Sequence, residues 1–219
     1  SCGPLLSLSS GGDAVARALT GRNASAAVGE TSAWLQEIDF DADDARAVRG
    51  VERIGPYEHV LRVAPIGPLA VADVGDVPMQ SRFSLEQCHA DIEACYHGIR
   101  AAGVIPLSVG GDHSITLPIL KALGRDRPVG MVHIDAHCDT AGDYEGAKFH
   151  HGGPFRRAVL DGVLDPERVI QIGIRGGAEY LWEFSFESGM TVIHAEEVDA
   201  MGIAAVIAKA RDVVGTGPT

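Results

Sequence analysis

The sequence has 219 residues, of which 46% are apolar and 22% charged, a composition typical of one globular domain rather than of a disordered or fibrous chain. The formal net charge of −12 argues against nucleic acid and anionic membrane surfaces as partners, because both would repel most of the surface. No stretch approaches 18 consecutive apolar residues, so we predict no membrane span. Small cationic ligands are the favoured binding partners.

The four cysteines form no CxxC pair and show no spacing typical of a disulfide framework. They are Cys2, Cys88, Cys95 and Cys138. In a chain of this length such a pattern indicates reduced thiols in a reducing compartment. We therefore predict a cytoplasmic protein.

The first 50 residues are rich in Gly, Ser and Ala and predict irregular structure, with one short helix over 13–19. Beyond Pro65 the pattern becomes regular. We expect strands over 69–73, 104–109, 129–135, 169–174 and 191–194, and helices over 84–103, 114–124, 154–163, 178–188 and 201–213. The strands are continuous apolar runs that alternate with helices, which predicts an α/β fold of three layers, α-β-α, around a mostly parallel sheet.

The first of these helices has a predicted capping box, Ser84 with Gln87, followed by a single apolar stripe. The stripe consists of Leu85, Cys88, Ile92, Cys95 and Ile99. We interpret His89 and His97 on the same helix as surface or packing residues rather than ligands.

Two polar stretches follow predicted strands directly, GGDHS (110–114) and DAHCD (135–139). Ligand sites of parallel α/β sheets lie at the carboxyl ends of the strands, so both stretches fall on the functional edge. They are separated by one strand-helix-strand excursion, with His113 placed 22 positions before Asp135. We therefore expect the two turns to lie side by side.

The second stretch offers two carboxylates and one imidazole. Along an extended chain, side chains alternate between faces, so Asp135, His137 and Asp139 are expected to point one way and Ala136 and Cys138 the other. Oxygen and nitrogen donors without a thiolate suit Mn²⁺, Fe²⁺, Co²⁺ or Ni²⁺ better than a structural zinc site. Together with His113, this pattern predicts a metal centre.

Other roles are open for single residues of these stretches. Asp112 fits a cap for the helix that begins near Ser114. His113, taken alone, is typical of an ordinary polar turn. His133 falls on the buried side of its strand and is interpreted as a core histidine whose ring is satisfied within the protein.

Several stretches resemble the ureohydrolases, the arginase and agmatinase superfamily of binuclear metal enzymes. They are PLSVGGDHSITLPIL, GMVHIDAHCDT, HHGGPFRRAV and VLDPERVIQIGIRG, and the resemblance extends over about residues 65–219. Within the superfamily, the sequence is most similar to the branch that hydrolyses guanidine, guanidinopropionate, guanidinobutyrate or agmatine. The domain organisation that follows is an unplaced irregular segment over 1–55 and the N-terminal part of an arginase-like α/β metallohydrolase domain over 56–219.

The resemblance also implies a site. His113 and Asp139 would belong to one ion, His137 to the other, and Asp135 would bridge the two. His151 matches an active-site loop histidine that moves protons or holds substrate, whereas the role of the neighbouring His150 stays open. The implied cofactors are two divalent ions, Mn²⁺ or Ni²⁺, and the implied catalytic residues are His151 and Asp135.

The expected reaction is hydrolysis of a small cationic guanidino compound to urea and an amine or ammonia. Guanidine, 3-guanidinopropionate, 4-guanidinobutyrate, agmatine and biguanide-type compounds are the candidate substrates. A homo-oligomer, trimer or hexamer, is implied by the resemblance, and a hetero-oligomer is open.

The sequence departs from the superfamily pattern at its end, where the second metal motif, S-x-D-x-D-x-x-D-P, is not found. The chain then contributes four of the six implied metal ligands, so we expect a fold that is incomplete at its C-terminus and weakly active alone. The alternative is a non-catalytic ureohydrolase-like subunit of a hetero-oligomer. A third interpretation keeps the fold and changes the chemistry to formimino-group or acetyl hydrolysis.

Overall fold

The computed structural model describes residues 4–8, 71–175 and 179–219, with residues 4–8, 71–73 and 179 described by their backbone. The strands are β1 (Pro4–Leu8), β2 (Val71–Asp76), β3 (Ile105–Ser108), β4 (Val129–Ile134), β5 (Leu164–Ile174) and β6 (Thr191–His194). The α-helices are α1 (Leu85–Ala101), α2 (Thr116–Leu123), α3 (Pro154–Leu160), α4 (Glu183–Ser188), α5 (Ala195–Met201) and α6 (Ile203–Val214). Single 3₁₀ turns lie at His113–Ile115 and Glu179–Leu181. None of the helices in these ranges is long and apolar enough to cross a membrane.

The described chain divides into two compact units. The smaller unit contains a three-stranded sheet in the order β2-β1-β3, in which both neighbours run antiparallel to β1. This differs from the predictions, which gave no strand before residue 69 and placed the 69–73 and 104–109 strands in the mostly parallel sheet. The physical reason is that β1 pairs on both sides, with Leu6 opposite Asp73 and Leu107, so its backbone groups are satisfied along both edges. The predicted helix at 13–19 lies outside the described residues.

The larger unit contains the parallel sheet, in the order β4-β5-β6. Its two faces are buried by different helices. Val169 of β5 packs with Leu117 of α2 and Phe155 of α3 on one face, whereas Ile170 packs with Val206 of α6 on the other. Successive residues of a strand point to opposite faces, so β5 must be apolar at consecutive positions to be covered on both. The predicted α/β fold with helices on both sides of a parallel sheet is confirmed.

Helix α1 begins as its capping pattern predicts, since the backbone amide of Gln87 donates to Oγ of Ser84. The Gln87 side chain does not complete the box and donates instead to Asp91. The buried stripe is also corrected at two positions, because Leu85 is 43% exposed, and Tyr96 is almost fully buried while Cys95 is only half-buried.

The predicted helix over 201–213 corresponds to α6, Ile203–Val214, and a separate short helix that was not predicted, α5, precedes it. Helix α5 ends at Met201 and α6 begins at Ile203, with Gly202 between them at a φ of 77°. That conformation is one that glycine adopts without a Cβ penalty, so the sequence carried the signal for the break. The short helix α5 is capped by His194, whose backbone amide donates to the side chain of Glu197.

Candidate metal centre

The first half of the site is the 3₁₀ turn His113–Ile115, which leads into α2. Asp112 precedes it with extended backbone, and its Oδ1 accepts a 2.9 Å hydrogen bond from the amide of Ser114, which confirms the predicted cap. Ser114 is buried, and its hydroxyl lies 3.1 Å from Nε2 of the buried His89. His89 therefore packs under the turn, as its interpretation as a packing residue predicts. His113 is held in place by its neighbours on both sides.

The second half is the turn that follows β4. The strand ends at Ile134, and the amide of Asp135 still donates to the carbonyl oxygen of Ile172 in β5. Beyond that bond the chain bends, with Oδ1 of Asp135 accepting from the amide of His137 at 2.9 Å. The expected alternation of faces therefore does not continue through the whole stretch, because the backbone is no longer extended. Cys138, which was predicted to point away from the three candidate ligands, is buried.

Asp139 has a backbone conformation unusual for a residue with a side chain. Its φ is 51°, in the left-handed region that Asp and Asn enter more readily than most other residues with a side chain. The carbonyl oxygen of Asp139 accepts from the amide of Phe155, near the start of α3. The turn is thus fixed by α3 on one side and directs the Asp139 carboxylate toward His113.

Four side chains bring one donor atom each to a common point. Donor atoms of His113, His133, Asp135 and Asp139 all lie within 4.8 Å of one another. The shortest contact, 2.6 Å, joins Nδ1 of His113 to Oδ2 of Asp139. The two turns predicted to be neighbours are therefore in direct contact, and they present oxygen and nitrogen donors together.

Asp135 lies between two imidazoles and faces each with a different oxygen. Its Oδ2 is 3.7 Å from Nδ1 of His113, and its Oδ1 is 3.6 Å from Nδ1 of His137. A carboxylate in this position can bind one ion through each oxygen. The His137 side chain is mostly exposed and stands outside the compact group of four. The donor set, imidazole and carboxylate without thiolate, fits divalent ions of the manganese and nickel type.

The charges of the site shift its pKa values in opposite directions. The pKa of His113 is raised, chiefly by its hydrogen bond to Asp139 and against the effect of burial. The pKa of Asp135 is lowered: burial would raise it, but the amide of His137 and the nearby His133 and His113 together outweigh that effect. The site therefore keeps Asp135 ionised, which is the form a metal ligand needs.

His133 has a second role that the sequence interpretation missed. It is a buried residue of β4, as expected of a core histidine, but its Nε2 lies 3.3 Å from Oδ2 of Asp135 and joins the donor group. Burial lowers its pKa, against the attraction of the Asp135 carboxylate. Its position two residues before Asp135, on the same side of the strand, was the available signal.

His151 is an exposed residue beside Asp112, which precedes the His113 turn. Its Nδ1 is 3.9 Å from Oδ2 of Asp112, and both side chains are exposed. His150, whose role was open, is turned away into its own loop, where Nε2 lies 2.9 Å from the carbonyl oxygen of Gly142. A Cβ on Gly153 would come within 2.9 Å of the His150 ring, so the glycine after the histidine pair lets that ring pack against the chain.

Comparison with known proteins identifies the family. The Arginase family model matches residues 39–219. Guanidinopropionase of Pseudomonas aeruginosa is 51% identical over 164 residues, covering 74% of this chain and 51% of that protein. Mitochondrial agmatinase of Gallus gallus is 44% identical, covering 74% and 48% of the two chains. Guanidinobutyrase of Pseudomonas aeruginosa is 41% identical, covering 75% and 52%. The chain thus spans about half the length of the curated relatives it matches.

Solved structures agree. A hypothetical agmatinase from Burkholderia thailandensis superposes with a TM-score of 0.64 at 31% identity, over 74% of this chain and 50% of the other. The proclavaminate amidino hydrolase of Streptomyces clavuligerus gives a TM-score of 0.59 at 28% identity, over 65% and 48% of the chains. With a family match over most of its length and relatives of this identity, the chain belongs to the arginase family.

Proposed function

We propose that the protein is a metal-dependent amidinohydrolase that cleaves a small guanidino compound to urea and an amine or ammonia. The observation that carries the proposal is the position of Asp135, which faces His113 with one oxygen and His137 with the other. A site for one ion would need no such arrangement, whereas a pair of ions needs a ligand shared between them. Enzymes of the arginase family depend on two metal ions, in agreement with this geometry.

In this proposal His113 and Asp139 would hold one ion, His137 would hold the other, and Asp135 would be shared between them. Mn²⁺ and Ni²⁺ are the proposed metals, because the donors are carboxylate oxygens and imidazole nitrogens. When bound, a pair of such ions supplies a hydroxide nucleophile from water at neutral pH. In the overall reaction a C–O bond forms at the guanidinium carbon and one C–N bond breaks, releasing urea and the protonated amine.

The residues of this chain contribute charge and proton transfer. The carboxylates of Asp135 and Asp139 lie in the donor group and that of Asp112 lies beside His151, and their negative charge favours a cationic guanidinium over a neutral or anionic compound. His151 stands on the open side beside Asp112, where its imidazole can pass a proton to the departing nitrogen. The Asp112 carboxylate is itself held by the amide of Ser114, so it offers His151 a fixed partner.

The relatives guide the choice of substrates. They carry the names guanidinopropionase, agmatinase and guanidinobutyrase, so 3-guanidinopropionate, agmatine and 4-guanidinobutyrate are proposed first and guanidine next. These names give no support to the alternative of a non-catalytic subunit. A homo-oligomer and a cytoplasmic location remain predictions from the sequence.

The direct test is urea release from this panel after loading with Mn²⁺ or with Ni²⁺, with bound metal measured on the same samples by mass spectrometry. We expect two ions per chain and urea from at least one guanidino compound. Metal-loaded protein that releases no urea from any of them would refute the proposed activity.

A pair of matched variants ties the activity to the site. Asp135→Asn removes the charge of the shared carboxylate and is expected to lose both bound metal and urea release. Asp199→Asn makes the same chemical change on the exposed surface of α5 and is expected to behave as the wild type. Equal metal content in the two variants would show that Asp135 is not a ligand.

A further inference from the structure

Gln171 is a fully buried amide under the site, in β5. One of its terminal atoms lies 2.7 Å from the carbonyl oxygen of Cys138. A carbonyl oxygen can only accept, so the Gln171 atom that faces it must be the amide nitrogen, Nε2. The orientation of the amide is therefore fixed by the backbone of the turn that carries the metal-binding residues.

The same nitrogen fixes the tautomer of His133. Gln171 Nε2 lies 3.2 Å from Nδ1 of His133 and has a second hydrogen to give. Because the amide nitrogen only donates, Nδ1 must accept, and the proton of the neutral ring is then on Nε2. The reversed ring would place carbon atoms against both Gln171 and Asp135, and so would lose both polar contacts.

A ring nitrogen that carries a hydrogen has no free lone pair for a metal ion. Nε2 of His133 is buried and lies 3.3 Å from Oδ2 of Asp135. Its position in the donor group would make it a ligand by distance alone. The hydrogen on Nε2 makes it a donor to the carboxylate instead.

We propose that His133 is a positioning residue, held by Gln171 in the Nε2–H tautomer, that orients the shared carboxylate of Asp135 and does not bind metal. The inference rests on the proposed metal centre and adds a support behind it. Of the four residues in the donor group, three would bind metal: His113, Asp135 and Asp139. The fourth, His133, would orient the Asp135 carboxylate. A fixed carboxylate keeps its two oxygens directed at two different positions, as a shared ligand must.

The first test reads the tautomer directly. Long-range ¹H–¹⁵N NMR on protein labelled with ¹⁵N-histidine distinguishes protonated from unprotonated ring nitrogens, and the His133 signals are identified by their loss in His133→Gln. We expect Nε2 of His133 to carry the hydrogen both without metal and with saturating Zn²⁺, a diamagnetic probe. A hydrogen on Nδ1, or loss of the Nε2 hydrogen when Zn²⁺ binds, would overturn the proposal.

The second test compares matched substitutions. His133→Gln can place an amide N–H near the position of the ring Nε2, whereas His133→Leu cannot, so we expect near-normal metal affinity in the first and an affinity lowered by about 10- to 100-fold in the second. His113→Gln makes the same change at a proposed ligand and is expected to lose its ion. If His133→Gln loses as much affinity as His113→Gln, His133 is a ligand.

The two proposals fail in different ways. If the wild-type protein binds no metal, the proposed function is refuted, while the metal-free spectrum still decides the tautomer of His133. If metal binds and Nε2 is the coordinated atom, the metal centre stands and the positioning role is wrong.

Discussion

The two sides of the metal centre are built differently. Beneath it, His133 and Gln171 have exposures of 6% and 0% and are fixed by contacts with the turn after β4. Above it, the His137 and His151 side chains are 72% and 77% exposed, and their nearest charged partners stand 3.6 and 3.9 Å away. The side chains on the buried side are fixed by contacts within the protein. The side chains on the open side are exposed, so the proposed ions and substrate can fix their positions.

This contrast suggests that substitutions on the two sides will act on different quantities. Changes on the open side should alter metal content and catalysis with little effect on the free energy of unfolding. Changes on the buried side should chiefly lower the free energy of unfolding.

The largest effect is expected from the two imidazoles that flank Asp135. His113→Ala and His137→Ala should each remove one ion per chain, with urea release reduced by at least about 100-fold in both. Metal mass spectrometry and the urea assay measure the two quantities. A His137→Ala protein that keeps two ions would show that the exposed imidazole is not a ligand.

On the buried side, Phe155→Ala is expected to lower the free energy of unfolding by about 3–5 kcal/mol. Phe155 is 1% exposed, and its ring centroid lies 4.5 Å from that of His133 and 5.5 Å from that of His113. The measurement is denaturant unfolding of the metal-free protein. Phe186→Ala, a matched change at a 53% exposed ring, should cost about 1 kcal/mol or less, and equal losses would contradict the contrast.

His151→Asn tests the open side without touching a proposed ligand. We expect kcat to fall by about 100-fold, because the proton donor is lost, while metal content and stability stay within error of the wild type. Steady-state urea kinetics with parallel metal analysis would show it. A variant with unchanged kcat would remove His151 from the mechanism, and one that loses metal would place it among the ligands.

The smallest effect concerns the buried His89. Burial lowers its pKa, against the attraction of Asp112 and with the repulsion of Lys121. Its folded-state pKa is below the unfolded value, so its neutral form stabilises the fold above about pH 6.5, and this contribution is lost as the pH falls toward the folded pKa.

We therefore expect the wild-type unfolding free energy to decline between pH 7 and 5 more steeply than that of His89→Gln. The difference in slope should be at most about 1.4 kcal/mol per pH unit, the value for one proton. Denaturant unfolding at several pH values measures both slopes. Parallel slopes would show that His89 does not prefer its neutral form in the folded protein.

The sequence predicts most of the parallel sheet because its strands are strongly apolar. The boundaries of β4 and β6 agree with the structure to within one residue. The contact between His113 and Asp139 was also predicted, but the reason given for it does not hold, because β3 pairs with β1 and does not belong to the parallel sheet that contains β4.

Features that depend on strand pairing or on a bent backbone could not be predicted from the sequence. Nothing in an apolar run states which strand it pairs with, so the antiparallel pairing of β3 with β1 was missed. The alternation rule assumes extended chain, and it stops at Asp135 because the chain bends there. Gln171 looks like any polar residue in an apolar strand, and its contact with His133 spans 38 positions of sequence.

The backbone conformation of Asp139 limits which residues can replace it. Its left-handed φ of 51° demands a residue that enters that region, and its carboxylate must also reach His113. A library of all substitutions at position 139 should therefore show two levels of failure. Asn and Gly should fold and lose metal, whereas Val and Ile should lower the folded fraction as well. Glu, which retains the charge, should not rescue, because neither the backbone preference nor the reach of Asp is preserved.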